Sequence, residues 1–148
     1  MPNSKAGLLF EPTEVALLSV NAERFFSKKP KRAKAKIDMS VDTSRYAENG
    51  NEVQIGIKYV CDLYDGDAEG EDGHFVRIAT VYRATFASNR ELSSEDAESG
   101  ALEPTKDHAF ELLHPYHLQK LQALGYELIG EHVSLPLRWD SDLIVEGD

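Results

Sequence analysis

The chain has 148 residues, 26 acidic and 16 basic side chains for a formal charge of −10, and 41% hydrophobic residues. That length suits a single domain over residues 1–148 with a two-layer core, its ends at 1–10 and 141–148 expected to be mobile. One cysteine, Cys61, excludes an internal disulfide and a cysteine-built metal cage; with no run of about 18 apolar residues and no apolar leader, neither membrane insertion nor export is expected, and a cytoplasmic location is.

Four segments alternate apolar and polar residues, a period of two that gives a strand one core face and one wet face. The first, from about Glu14 to Phe26, spaces Leu18, Val20 and Ala22 two apart before the pattern blurs, and is the weakest. Lys28, Lys29, Lys31, Arg32, Lys34 and Lys36 then place six of the sixteen basic residues in one short stretch. Clustered cations suit phosphate contacts, but no aromatic platform is interleaved with them and the acidic remainder repels a polyanion. The expectation is a solvated connection that guards strand edges, with no nucleic-acid partner.

In the second segment Ile37, Met39, Val41 and Thr43 alternate with Lys36, Asp38, Ser40 and Asp42. A third sets Val53, Ile55, Ile57, Tyr59, Cys61 and Leu63 against Glu52, Gln54, Gly56, Lys58 and Asp62. The fourth aligns Val76, Ile78, Thr80, Tyr82, Ala84 and Phe86 against Arg77, Ala79, Val81 and Arg83. Both are rich in the β-branched and aromatic residues that strands favour. Asn49-Gly50-Asn51 suits a tight reversal, so the second and third strands should pair antiparallel. Residues 65–73, polar and glycine-rich, should form the exposed loop of a further hairpin. Asp65, Asp67, Glu69 and Gly70 mimic the opening of a calcium loop, but its closing ligand would fall on Val76 and its flanks are strands, so no metal is expected.

Residues 87–106 are dominated by Ser, Glu, Asp, Gly and Pro, with Leu92 and Leu102 the large apolar exceptions. They are expected to form a long mobile crossover, a kind of loop that is often functional. A helix is predicted from an N-cap at Asp107, with Phe110, Leu113, His117, Leu121 and Leu124 on one stripe, ending at Gly125 or Gly130. Pro115 inside this pattern predicts a kink, or a helix beginning only near Leu113. Residues 131–148, with Val133, Leu135, Leu137 and Trp139, read as a short strand or an extended arm.

Chemistry is sparse. Cys61 lies on the apolar face of its strand and should pack as a small hydrophobe. Glu111, His114 and His117 are one helical turn apart and offer metal-ligand types, yet His117 falls on the apolar stripe and no further ligand is evident. There is no Gly-x-Ser-x-Gly elbow and no phosphate-cradling glycine loop. No catalytic residue, metal or cofactor is expected, nor is an enzyme.

The order of four strands, crossover, helix and proline-containing tail resembles the SecB family of protein-export chaperones. Lys36-Ile37-Asp38-Met39-Ser40-Val41-Asp42-Thr43 is similar to that family's second strand. Leu113-His114-Pro115-Tyr116, followed by Leu121 and then Leu135-Pro136-Leu137, resembles its Phe-Pro-Tyr helix and later proline segment; the likeness covers about residues 11–140. It implies an α+β fold, a four-stranded twisted antiparallel sheet with one main helix packed on it and an extended C-terminal arm. It further implies an ATP-independent holdase, a homo-oligomer that captures unfolded polypeptides in apolar grooves and passes them to an export motor or, in related versions, serves a toxin–antitoxin client.

Val60, Ala79 and Val81 make the back face of two strands less polar than a solvated face, and with Leu92, Leu102 and Tyr116 they are the expected client-binding groove. The alternative is a dedicated adaptor or inhibitor that uses the same fold to bind one folded partner. Two departures from the family stand out. No second long helix follows the proline segment, and Arg77, Ala79 and Arg83 replace the acidic face offered to the motor.

Overall fold

The structure, a computed structural model, describes residues 7–25, 33–65 and 73–129. In chain order these form β1 (Phe10–Arg24), β2 (Ala33–Tyr46), β3 (Glu52–Asp65), β4 (His74–Ser88), α1 (Ser94–Glu98) and α2 (Pro104–Ile129). The strands make one antiparallel sheet in the order β1-β4-β3-β2, so the two expected hairpins share β3 and β1 lies beside β4. Asn49 takes a φ of 66° in the β2–β3 turn, a left-handed conformation that asparagine tolerates.

Register decides which side chains form the core. Tyr59 pairs with Thr80, Ile57 with Tyr82 and Cys61 with Ile78, so odd residues of β3 and even residues of β4 share one face. That face is buried from Val53 to Leu63 on β3 and from Val76 to Phe86 on β4. Across it lies α2, which buries Ala109, Phe110, Leu113, His114, His117, Leu118 and Leu121. Burial of an aliphatic side chain such as Leu113 contributes about 1.5–3 kcal/mol, which is why packing rather than helix propensity holds α2 in place. The opposite, open face is covered by no described element.

Where the structure departs from the alternation, bulges are the reason. In β2 a register shift between Val41 and Thr43 turns Thr43 away from the apolar face and sets it opposite Gly56. In β1 shifts between Pro12 and Glu14 and between Leu17 and Ser19 break the period of two: Leu18 has no register partner, and Leu17 and Val20, three apart, both lie opposite even residues of β4. The strand begins at Phe10 and ends at Arg24, earlier at both ends than expected; Phe26 lies outside the described residues, as do the calcium-like loop beyond Asp65, most of the basic stretch and the C-terminal arm.

The crossover is built rather than loose. It holds α1, whose N-cap Ser93 and third residue Asp96 form a capping box, and Arg90 pairs with Asp96 at 2.8 Å. The Leu92 amide donates to the Gly50 carbonyl at 2.7 Å and its carbonyl accepts from the Asn49 amide at 2.8 Å, which staples the crossover to the β2–β3 turn. Composition misled because a capping box and a helix of five residues need few apolar side chains. α2 starts at Pro104, before the expected Asp107, since proline's missing N–H costs nothing in a first turn. It runs through Pro115 and Gly125 to Ile129, with Pro115 on the exposed side of the helix.

Candidate functional site

The expected groove residues fall on both sides of the sheet. Val60 and Ala79 are register partners on the open face, and Val81 lies opposite Lys58 on that same face. They form a short apolar strip. One row beyond it, Lys36, Asp62, Arg77 and Glu23 succeed one another across all four strands as alternating charges. Asp62 accepts from Arg77 Nε at 2.7 Å and pairs with His74 Nε2 at 2.8 Å. At the far end Arg83 reaches Glu14 at 3.1 Å.

Leu92, Leu102 and Tyr116 belong to the covered side. Leu92 is 1% exposed and is a core residue. Leu102 is half-buried and lines a groove of about 220 Å³ with Ser44, Tyr46 and Val53 below and Ala97 and Lys106 above. This groove runs beside β2, an edge strand whose outer backbone groups have no strand partner among the described residues. Tyr116 is 43% exposed on α2, its ring 5.9 Å from that of Tyr82. At about 1.5 Å per residue it sits roughly 18 Å along α2 from Pro104, the helix start two residues beyond Leu102, so the two do not line one pocket.

Sequence reasoning did not single out Tyr46, because its partners come from the crossover. Nor did it single out the run of uncharged residues 15–22 on β1, where Leu17, Leu18 and Val20 are all exposed along the other sheet edge. The missing charges were the legible signal there, since edge strands ordinarily carry them.

The helix histidines are not a metal site with Glu111. Both are buried against the sheet while Glu111 is exposed, and no group of three or more His, Cys, Asp or Glu among the described residues is arranged to hold a metal ion. The Nδ1 atoms of His114 and His117 instead bond the Tyr59 and Thr80 hydroxyls, each at 2.6 Å. Burial, and after it the neighbouring His114, pushes His117 down to about 3, with the Ile57 carbonyl offsetting part of the effect. Burial, and then the charge of Asp62, pushes the Cys61 thiol up to about 12, which keeps it protonated and unreactive.

No protein-family profile matches the chain and no curated protein matches it. Among solved structures the chain is similar to the SecB-like chaperone Rv1957 of Mycobacterium tuberculosis, solved in complex with a ChAD peptide from the Rv1956 HigA1 antitoxin. The TM-score is 0.65 at 13% sequence identity, over 88% of this chain and 91% of that one. At that identity the likeness is one of fold: the described residues form a SecB-like sheet and helix.

Proposed function

We propose that this chain is a SecB-like, ATP-independent polypeptide-binding protein that holds an extended client segment along the β2 edge, with side chains seated in the groove between Tyr46 and Leu102. One observation carries the reading: a half-apolar groove lies directly beside a sheet edge with no strand partner among the described residues. An edge strand offers backbone hydrogen bonds to any extended sequence, and the adjoining pocket supplies a side-chain preference. The solved relative of the same fold carries a bound peptide. No catalytic step, nucleotide, metal or cofactor enters this reading.

The dimensions of the groove favour a narrow client range. About 220 Å³ accommodates one or two large side chains. A dedicated client, such as a segment of an antitoxin, therefore fits better than the whole traffic of an export motor, and the paired Arg77 and Arg83 make the open face unlike an acidic motor-docking surface. The uncharged β1 edge would pair with another copy, giving a cytoplasmic homo-oligomer. No helix among the described residues is long and apolar enough to cross a membrane.

Calorimetry with an unfolded model polypeptide, alongside light scattering of the free protein, tests the reading. Micromolar binding with a negative heat-capacity change is expected, weakened on Leu102→Glu. Absence of binding to the unfolded chain, with stoichiometric capture of one folded partner, would replace the holdase with a dedicated adaptor.

A further inference from the structure

The centre of the contact between α2 and the sheet is polar, although everything around it is apolar. His117 is 0% exposed; its Nδ1 and the Thr80 hydroxyl share a hydrogen bond, and its ring stacks on Tyr59 at 3.8 Å and 3° and meets the edge of Tyr82 at 4.8 Å. Its Nε2 makes no hydrogen bond of ordinary geometry among the described residues, and the backbone carbonyl of Ile57 is the polar group that acts on the ring from β3. One turn earlier His114, 1% exposed, bonds Tyr59, the register partner of Thr80. The two imidazoles thus tie the helix to both central strands at one level of the sheet.

The groups facing this pair decide what a proton would do there. From β3 the titratable neighbours on the covered face are Tyr59 and Cys61, and from β4 Tyr82. β2 presents Ile37 and Met39 at this level, and β1 presents Val20 and Ala22, with Arg24 further along. On α2 itself His108, Tyr116 and Lys120 flank the pair, and Glu111 points to solvent. The carboxylates of the sheet centre, Asp38, Asp62 and Glu23, pair on the open face. An imidazolium at 117 would meet no described carboxylate. The face of Tyr59 attracts a cation, but a fully buried charge without a counter-ion costs more than that contact returns.

We propose that the His114–His117 pair is an acid-sensitive latch: protonation of His117 releases α2 from β3 and β4 and uncovers the apolar face beneath. The linkage has a definite sign. Docked, His117 resists protonation down to about 3, whereas released into water it returns to 6.5. Between those values the released state binds the extra proton, so docking is complete above 6.5 and weakens as pH falls below it, by about tenfold per pH unit for one imidazole.

Amide hydrogen exchange of the full chain, corrected for intrinsic rates, measured from about pH 7.5 to about pH 4.5, reads this directly. The opening constant of α2 amides is expected to rise about tenfold per unit below about 6.5, ahead of the β3 and β4 amides. His117→Asn, whose amide keeps both a donor and an acceptor for Thr80, should flatten that rise, while His108→Asn should not. Should His117→Asn fail to fold, the imidazole nitrogen shifts of the unaltered chain decide: proton uptake by His117 must coincide with α2 opening. A flat α2 profile, opening of helix and strands together, or titration of His117 with α2 still protected would each overturn the latch.

Discussion

Thr43 and Gly56 face each other across the β2–β3 register so closely that a β-carbon at residue 56 would lie 2.5 Å from the Thr43 hydroxyl oxygen. Real β-carbons do not approach that near, so Gly56→Ala must push Thr43 or the bulge before it aside. A destabilisation of about 1–3 kcal/mol is expected. The Thr43 backbone nitrogen at 3.5 Å and β-carbon at 3.7 Å would remain in ordinary contact, so Thr43→Ala should restore most of the loss. Urea unfolding of both single variants and the double variant measures the coupling; equal cost of Gly56→Ala in both backgrounds would acquit the hydroxyl.

Asp96 anchors the crossover. The Arg90 guanidinium first, and then the Ser93 amide, hold its carboxyl well below the usual carboxylate range. Because the folded state favours the carboxylate, this contribution is complete above about pH 4 and fades as pH falls below the ordinary value of 3.8. Asp96→Asn should loosen residues 90–100 already at neutral pH, and Ser93→Ala should remove a cap contributing about 1 kcal/mol. Hydrogen exchange of those amides is the measurement, and unchanged protection in Asp96→Asn would remove the anchoring role.

Cys61, 2% exposed and with its thiol pushed up to about 12, should resist a thiol reagent in the native chain near pH 8 and react only when the sheet opens. Its labelling rate relative to denatured protein then reports the opening equilibrium. Immediate reaction would mean that the covered face is accessible.

The two sides of the sheet can be separated by charge. Leu102→Glu, in the groove beside β2, should weaken client binding by about tenfold or more, a loss of roughly 1.4 kcal/mol, whereas Ala79→Glu on the open face should leave it within about twofold. The reverse pattern in a peptide titration would move the client to the open face.

Leu18→Lys, on the β1 edge, places a charge where an edge-to-edge pairing of two copies would run. The mass measured by light scattering should fall to that of one chain. An unchanged mass would put assembly elsewhere.

How much of this was legible before folding differs from element to element. The alternations in β3 and β4 hold from Val53 to Leu63 and from Val76 to Phe86, up to the register shift at Leu63/Tyr64, because both strands are central, with two neighbours and one covered face that tolerates no slip. β1 was nearly illegible because two bulges interrupt its period and an edge strand can leave Leu17, Leu18 and Val20 exposed. The candidate groove was half legible: Leu102 stood out as an apolar residue in a polar stretch, but Tyr46 joins it only through the pairing of β2 with β3 and the path of the crossover.

The class of fold was already written in the periodicity, because a period of two repeated over several segments and one helical stripe bury their apolar residues together when a helix packs on a sheet. The tertiary structure alone decided that β1 joins β4, that Val60, Ala79 and Val81 lie on the opposite side of the sheet from Leu92, Leu102 and Tyr116, and that His114 and His117 meet Tyr59 and Thr80. The β1–β4 pairing and the histidine bonds join residues 37 to 78 positions apart along the chain, and periodicity within one segment carries no information about which other segment its face will meet.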